Sequence, residues 1–375
     1  MKSFKSLNFS DIHLGCPRLD PELTVHNLLE WLVGVIDTHR PDLIGLQGDL
    51  FDTSISYTDR WSPLIMEFIG TLLNTARVYG CKMRILRGTF SHDRTQPNII
   101  PVLNKTLGIN LDLKYLDTIC VEYLSDFEVK IGYIPDNTPH PSSDEVLECL
   151  KEKMKEVGWE SLDYLYMHGS FDHTLPLPAQ KHCRVLFRKD QFDFVKRFVI
   201  TGHIHQHCIK AHIINNGSLG RLDFRDAHEP KGCIFIDDDG KDAAISFLEN
   251  PTTCRFMTWD MSEVDLEHPS LLSPYTDQLK TIPTGIECHV KVFHSVPEVA
   301  NKIVEYFREQ FPSIKFMRER GVQKEEKMIE VEEEQAFVPL NHPDTLAQAV
   351  VEQAQKNQQE ITVDRVKDLL TMVEK

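Results

Sequence analysis

Two histidines two positions apart, in Gly202-His203-Ile204-His205, have the types and spacing that suit metal binding. In an extended backbone, side chains at positions i and i+2 point to the same side, so both imidazoles can face one ion. The preceding residues 197–201 are mostly apolar and predict a buried strand that ends at this pair. In a chain with 17 histidines, a polar strand end explains the spacing equally well.

Carboxylates and imidazoles follow other apolar segments of the chain in the same way. The segments 3–9, 43–46, 82–86 and 162–166 predict strands, and each is followed by Asp or His. Such ligands without thiolate favour Mn, Fe, Zn or Mg over a structural zinc site. An Asp between two ions could bridge them, an arrangement that activates water and binds a phosphoryl oxygen. The candidate residues at strand ends are Asp11, His13, Asp49, His92, His168, His203 and His205.

These side chains can meet only if their strands share one sheet edge. Helices predicted at 21–39 and 57–78 alternate with the first three strands, which gives the order β-α-β-α-β. That order implies parallel strands with right-handed crossovers, and the carboxyl ends of such strands line the functional crevice. Further strands are expected at 115–123, 128–134, 232–237 and 244–249, with a helix at 143–155.

The sequence divides into four parts. Residues 1–250 form the first domain, and residues 251–320 form a small βαβ cap. In the cap, strands at 289–293 and 314–317 flank a helix that a capping box, Ser295 to Glu298, opens. Residues 321–340 read as an acidic linker, and residues 341–375 as a tail of two short amphipathic helices. The apolar stripe of the second tail helix is expected to dock on a partner.

Composition limits the class of protein. With 41% hydrophobic and 26% charged residues, the 375-residue chain is typical of a soluble globular protein. It has no apolar signal-peptide core and no membrane span, so we expect it to be cytoplasmic. Nine scattered cysteines without a C-x-x-C pair predict reduced thiols. The net charge of −16 argues against nucleic-acid binding by a basic surface alone, although bound cations or a partner's basic groove would offset it.

The order of the motifs resembles that of the calcineurin-like metallophosphoesterases, which is D-x-H, G-D-x-x-D, G-N-H-D/E, a lone His and G-H-x-H. The matching segments are Asp11-Ile12-His13, Gly48-Asp49-Leu50-Phe51-Asp52, a modified 88–93, His168 and Gly202-His203-Ile204-His205. Within that superfamily, residues 216–221 together with Phe224 and Lys231-Gly232 are similar to a segment of SbcD-type DNA-repair exonuclease subunits.

The resemblance implies an α/β fold, namely a sandwich of two mixed sheets flanked by helices, with the βαβ cap and the helical tail. It also implies two divalent metal ions, Mn first, with Mg, Fe or Zn possible. The implied first site is Asp11, His13, Asp49 and His205, and the second is Asp49, His168 and His203. His92, held by Asp93, would stabilise or protonate the leaving oxygen. Asp52 would support the site without binding metal. Arg221 could contact a phosphate or form a fold-stabilising pair with a nearby Asp.

The implied activity is phosphodiester hydrolysis at DNA ends, exonucleolytic or endonucleolytic, by the nuclease subunit of an SbcCD-like recombination and repair complex. The implied partners are DNA, an SbcC-like SMC-type ATPase bound by the tail, and a second copy of the chain in a heterotetramer. Two alternatives stay open. One is another metallophosphoesterase, acting on nucleotides or phosphoproteins, and the other is a catalytically weak DNA-end scaffold.

The third motif departs from the family pattern. Gly88-Thr89-Phe90-Ser91-His92-Asp93 is two residues longer than G-N-H-D and lacks the Asn, whose amide oxygen binds the second metal in the family. Ser91 stands before the histidine and is the candidate replacement, with Thr89 as the other hydroxyl. A hydroxyl is a weaker and shorter ligand than an amide oxygen. We therefore expect the second metal to bind more weakly than the first.

Overall fold

The computed structural model describes residues 2–56, 58–136, 138–264 and 268–319. The chain divides into the units Met1–Gly321 and Val322–Lys375, and every described residue falls in the first unit. The predicted acidic linker at 321–340 and helical tail at 341–375 therefore lie outside the described residues. Within the described ranges, no helix combines the length and apolar character needed to cross a membrane.

Seven α-helices occur in the described ranges. The predicted helix 21–39 is confirmed: Asp20 caps it by accepting the backbone N–H of Leu23, and Pro21 occupies its first position. The second helix begins four residues later than predicted, at Trp61. The helices are α1 (Pro21–His39), α2 (Trp61–Val78), α3 (Ile99–Thr106), α4 (Ser143–Glu156), α5 (Leu177–Gln180), α6 (Ser273–Lys280) and α7 (Pro297–Gln310).

Seventeen strands occur in the same part of the chain. They include all the predicted strands of the first domain, within a few residues at each end, apart from the segment 115–123. The strands are β1 (Phe4–Phe9), β2 (Leu43–Gln47), β3 (Lys82–Leu86), β4 (Leu113–Leu116), β5 (Cys120–Leu124), β6 (Val129–Ile134), β7 (Leu162–His168), β8 (Ser170–Phe171), β9 (Leu186–Phe187), β10 (Val195–Gly202), β11 (Cys208–Lys210), β12 (Ile213–Asn215), β13 (Gly232–Asp238), β14 (Ala243–Glu249), β15 (Arg255–Asp260), β16 (Cys288–Phe293) and β17 (Lys315–Arg318).

Two six-stranded mixed sheets form the core. The first sheet has the order β14-β13-β1-β2-β3-β4, in which β1 to β4 run parallel. The second has the order β11-β12-β10-β7-β6-β5, in which β12, β10, β7 and β6 run parallel. Apolar side chains of both sheets form one buried cluster between them, for example Leu43 of the first sheet and Ile200 of the second. The α/β class with mixed sheets is therefore confirmed.

Helices cover the outer face of each sheet. The apolar residues of α1 and α2, such as Leu32 and Phe68, pack with Leu7 and Met83 of the first sheet. Helix α4 packs its buried Leu150 against the second sheet. The resulting layer order is helix, sheet, sheet, helix. Each amphipathic helix thus buries its apolar stripe on a sheet.

The prediction of one strand over 115–123 is wrong. Residues Leu113–Leu116 pair with β3 in the first sheet, whereas Cys120–Leu124 pair with β6 in the second. The chain therefore crosses from one sheet to the other between β4 and β5. The sequence hides this crossing because both short strands have strand-like composition and no glycine or proline separates them.

The cap contains the predicted strands as β16 and β17 around α7, but two further elements were not predicted. These are β15, which pairs parallel with β16, and α6. The predicted capping box is also wrong, because Val296 is the N-cap residue and has no side-chain hydrogen bond there. The cap has its own apolar cluster around Trp259 and Phe307. It also contacts the core directly, since Glu287 accepts the backbone N–H of Asp20 at 2.8 Å.

A buried ion pair joins the two sheets near their edges. Arg84 of β3 is 1% exposed and donates two hydrogen bonds of 2.7 Å to Glu122 of β5. Tyr133 also donates to Glu122, at 2.9 Å. Burial raises the pKa of Glu122, but the hydrogen bonds from Arg84, Lys114 and Tyr133 and the charge of Arg84 together outweigh it and lower that pKa to about 2.

We predict that Glu122→Gln lowers the free energy of unfolding by about 1.5–3 kcal/mol at neutral pH, because the buried Arg84 loses its two charge-assisted hydrogen bonds to Glu122 and keeps Asp112 as an ion-pair partner. The folded-state pKa of Glu122 is depressed, so its contribution is complete above the unfolded-state value of ~4.3 and is lost as the pH falls towards about 2. Urea titrations at several pH values measure the difference. Lys114→Met removes an exposed partner of Glu122 and should change stability by less than ~1 kcal/mol. Equal losses in both variants would contradict the prediction.

Candidate metal centre

The predicted ligands lie at one edge that the two large sheets share. His168 is the last residue of β7, and the other six candidates follow β1, β2, β3 and β10 in the turns. These strands run parallel within each sheet. Their carboxyl ends therefore bring side chains that are far apart in sequence to one place.

Asp11, His13 and His205 form the first cluster, and their potential ligand atoms lie within 4.8 Å of one another. The Nε2 atoms of His13 and His205 face each other at 3.1 Å. The Nδ1 atom of His13 lies 3.2 Å from Asp52 Oδ1. Asp52 thus contacts the ring nitrogen of His13 that does not face His205, which fits its predicted supporting position. Its role stays a prediction.

Asp49, His168 and His203 form the second cluster, also within 4.8 Å. The hydroxyl of Thr89 reaches into this cluster. Its backbone N–H also donates to Asp49 Oδ1 at 2.6 Å, which fixes the turn after β3. Thr89 Oγ1 lies 3.1 Å from Asp49 Oδ2, 3.2 Å from His168 Nε2 and 3.3 Å from His203 Nδ1.

The carboxylate of Asp49 stands between the two clusters. Its Oδ2 atom lies 3.4 Å from His168 Nε2 in the second cluster and 4.0 Å from His13 Nε2 in the first. Asp49 is 2% exposed, so water screens its charge very little. A single buried carboxylate therefore faces imidazoles from both clusters.

The donor atoms of the second cluster fit a bound cation. His168 Nδ1 lies 2.6 Å from the carbonyl oxygen of Gln47, which can only accept, so Nδ1 carries a proton. In the neutral imidazole, the Nε2 lone pair then points at the Asp49 carboxylate, and two acceptors face each other. Burial lowers the pKa of His168, but the charge and hydrogen bond of Asp49, together with the charges of Asp11 and Asp136, outweigh it and raise that pKa to about 10. A proton or a metal ion must supply the missing positive charge.

Backbone strain is concentrated at the same place. Of the nine described non-glycine residues with positive φ, four are predicted ligands: Asp11 (51°), His13 (52°), Asp49 (51°) and His203 (102°). Each such conformation costs about 1–3 kcal/mol and persists only where the surroundings enforce it. Gly88 allows the close approach of two turns, because a Cβ there would lie 2.1 Å from the backbone nitrogen of Asp49. The strand ends are thus held together against their local preferences.

The expectation that Asp93 holds His92 is wrong. The carboxylate of Asp93 is fully buried and accepts the backbone N–H groups of Gly88, Asp49 and Phe51, at 2.8, 3.1 and 3.1 Å. His92 instead donates from Nδ1 to the carbonyl of Asp52 at 2.6 Å. This bond leaves Nε2 of His92 without a proton in the neutral imidazole. The ring lies beside His13, with centroids 4.8 Å apart.

Two other predicted site residues do not reach the centre. Ser91 is exposed, and Thr89, not Ser91, is the hydroxyl at the second cluster. Arg221 is 6% exposed and lines a cavity between α1 and the cap, where its backbone N–H donates to Thr253 Oγ1. It forms no ion pair within 4 Å in the described residues. Burial therefore makes Arg221 unavailable to a substrate.

Asn215, which the sequence did not single out, holds the loop that carries His203 and His205. Its side-chain amide donates to the carbonyl oxygens of Ile204, at 2.8 Å, and Gln206. The sequence alone does not indicate this role. The sign of it is the buried position of Asn215 at the end of β12, which is known only once the fold is known.

We predict that Thr89→Val weakens the second metal site at least ~10-fold and leaves the first unchanged, because valine keeps the shape and removes one oxygen ligand. Calorimetric titration of metal-free protein with Mn²⁺ measures both affinities. Ser91→Ala is the matched control, since it removes an exposed hydroxyl from the same loop. Unchanged titrations for Thr89→Val would show that its hydroxyl does not bind metal.

No protein-family model and no curated protein matches the chain. Among solved structures, one crystal structure is 12% identical with a TM-score of 0.36, and the match covers 65% of this chain and 99% of that one. Another, described as GAP50, the anchor in the inner membrane complex of Plasmodium, is 11% identical with a TM-score of 0.36, over 67% of this chain and 85% of that one. Similarity at this level supports no conclusion about fold family or function.

Proposed function

We propose that the protein is a calcineurin-like metallophosphoesterase that hydrolyses phosphodiesters of DNA with two divalent metal ions, Mn²⁺ first. The observation that carries the proposal is the buried Asp49 carboxylate between two clusters of Asp and His ligands, 3.4 Å from His168 and 4.0 Å from His13. Two ions that share a carboxylate would activate a water and bind the oxygens of a phosphodiester.

The residues around the clusters suit this reaction. Asp11, His13 and His205 with Asp49 would hold one ion, and Asp49, His168, His203 and Thr89 the other. His92 lies beside the first cluster but donates to the carbonyl of Asp52 through Nδ1. That bond fixes the ring and leaves Nε2 free to carry and give up a proton. His92 is therefore the residue proposed to protonate the leaving oxygen.

A groove beside the centre favours a polymeric anion over a small nucleotide. It has a volume of about 490 Å³ and lies between Arg18, the turn around Phe224 and the cap strands. Lys291 lies over the ring of Phe224, 4.2 Å from its centroid. In the described residues, neither Arg18 nor Lys291 forms an ion pair with a carboxylate. Two cations without a carboxylate partner within 4 Å, in a groove that Phe224 and Phe256 also line, suit the phosphates and bases of a nucleic acid.

Arg18 connects the groove with the centre. Burial raises the pKa of Asp52, whereas the hydrogen bond to His13 and charges that include Arg18 lower it below its usual value. The side chain of Arg18 also donates to the carbonyl of Leu222, at the start of the turn that lines the groove. Arg18 therefore belongs to the groove and also lies near enough to Asp52 to affect its charge.

The scaffold alternative predicts DNA binding without hydrolysis.

The proposed SbcC-like ATPase partner rests on the apolar stripe predicted for residues 341–375, which lie outside the described residues. Co-purification of the ATPase with the full chain and with a chain that ends at residue 340 tests that partner separately from the chemistry.

We predict that His92→Ala lowers the rate of Mn²⁺-dependent hydrolysis of linear DNA by ~10²-fold or more, because the leaving alkoxide loses its proton donor. Hydrolysis of bis(p-nitrophenyl) phosphate should fall much less, because p-nitrophenolate leaves without a proton. Bound metal, measured by elemental analysis, should stay at the wild-type level. His26→Ala, on the exposed face of α1, controls for loss of any imidazole. Loss of metal from His92→Ala would make His92 a ligand. DNA binding by a wild-type chain that hydrolyses neither substrate would support the scaffold.

We also predict that Lys291→Ala weakens DNA binding and lowers the slope of log K against log salt by about one, since one phosphate contact is lost. Hydrolysis of bis(p-nitrophenyl) phosphate serves as the reference for the metal centre. Lys151→Ala removes an exposed lysine of α4, a helix that contributes no residue to the groove lining, and should leave the slope unchanged. The same slope in both variants would show that DNA does not bind in the groove.

A further inference from the structure

Three consecutive carbonyl groups of the loop between His203 and His207 are fixed by buried side chains. Asn215 holds the first and third, those of Ile204 and Gln206. The middle one, of His205, accepts from Lys231 Nζ at 2.8 Å and from the backbone N–H of Ser218 at 3.0 Å. The imidazole of His205 therefore projects from a peptide whose carbonyl is held twice.

Lys231 is an unusual residue for this position, because it is 1% exposed. Lysine is almost never fully buried unless its charge is paired. Its ammonium lies 2.9 Å from Asp226 Oδ1, which supplies that pairing. The other oxygen of Asp226 accepts the backbone N–H of Leu222 at 2.9 Å. The ion pair thus links the His205 loop to the turn 222–226.

The turn 222–226 belongs to the groove wall. Phe224 in this turn packs edge to face on Phe256 of the cap strand β15, with ring centroids 5.0 Å apart. Lys291 of β16 covers its ring. A continuous set of contacts therefore runs from the groove, through Asp226 and Lys231, to the backbone of a proposed metal ligand.

We propose that Lys231, through its ion pair with Asp226, is a positioning residue that sets the metal affinity of the site containing His205. This inference rests on the proposed metal centre. The ammonium does not touch the metal ligand atoms; it fixes the peptide from which His205 projects, and so limits where Nε2 can lie. Groups that orient metal ligands in this way are commonly worth 10–100-fold in metal affinity.

A purely structural role is the competing explanation, and the chain supplies a matched control for it. Arg84 and Glu122 form a second buried ion pair, on strands β3 and β5, that contacts none of the proposed ligands. A variant of either pair takes a charged partner away from a buried residue and destabilises the fold, although Arg84 keeps Asp112 as a second partner. Only a variant of the Lys231 pair should also change metal binding.

The test compares Lys231→Met, Lys231→Arg and Glu122→Gln in the full chain by Mn²⁺ calorimetry. We expect Lys231→Met to lower the affinity of the tighter site ~10–100-fold. Lys231→Arg, which keeps a charged donor, should recover part of this loss, and Glu122→Gln should bind Mn²⁺ like the wild type. In metal-free protein, hydrogen exchange of the Ser218 amide, which donates to His205, should be faster in Lys231→Met alone.

Wild-type Mn²⁺ affinity in Lys231→Met, or an equal loss in Glu122→Gln, would overturn the inference. If Lys231→Met does not fold, Asp226→Asn replaces it: reduced affinity at the tighter site supports the positioning role, and unchanged affinity refutes it. None of these measurements uses hydrolysis. A chain that responds as expected but cleaves no phosphodiester would refute the proposed function and leave this inference intact, whereas a wild-type chain that binds no Mn²⁺ would refute both.

Discussion

The buried carboxylate of Asp93 is the interaction on which the arrangement of the centre depends. It accepts three backbone N–H groups, from Gly88 after β3 and from Asp49 and Phe51 after β2. Without this acceptor, three buried donors would each lose a hydrogen bond, at about 1–3 kcal/mol apiece. Burial and the nearby Asp49 charge raise the pKa of Asp93 to about 6, so the acceptor itself is held in an unfavourable environment. The surrounding fold supplies the free energy for this arrangement.

That free energy comes from the two sheets and the helices that cover them. Large apolar clusters lie on both faces of the first sheet, and another lies outside the second. They position the ends of five strands, three from one sheet and two from the other, so closely that four candidate ligands adopt positive φ. Pre-formed sites of this kind lose little conformational entropy when a ligand binds. The strained backbone at Asp11, His13, Asp49 and His203 is thus maintained by the rigid sheets around it.

Short local patterns predicted much of the fold and most of the candidate residues. Asp11, His13, His203 and His205 are recognisable because each follows an apolar strand in a brief motif, and both properties are local. The sequence names Thr89 only as the second candidate after Ser91 and does not single out Asn215, because their partners come from other strands and only the assembled sheets bring them together. Asp93 was given the wrong partner for the same reason: its neighbour in sequence, His92, turns away from it. The division of 115–123 between two sheets likewise depends on pairing that sequence periodicity does not encode.

The distance along the chain between the two imidazoles of the first cluster has a consequence for folding. His13 and His205 are 192 residues apart in sequence, yet their Nε2 atoms lie 3.1 Å apart. Contacts of such high sequence separation form late, because closing a long loop costs entropy before any contact offsets it. The unfolded chain, and any intermediate in which only one sheet has formed, therefore lacks a complete first cluster. A cation that requires the complete cluster would bind only the native state, and its concentration would then shift the folding equilibrium by mass action.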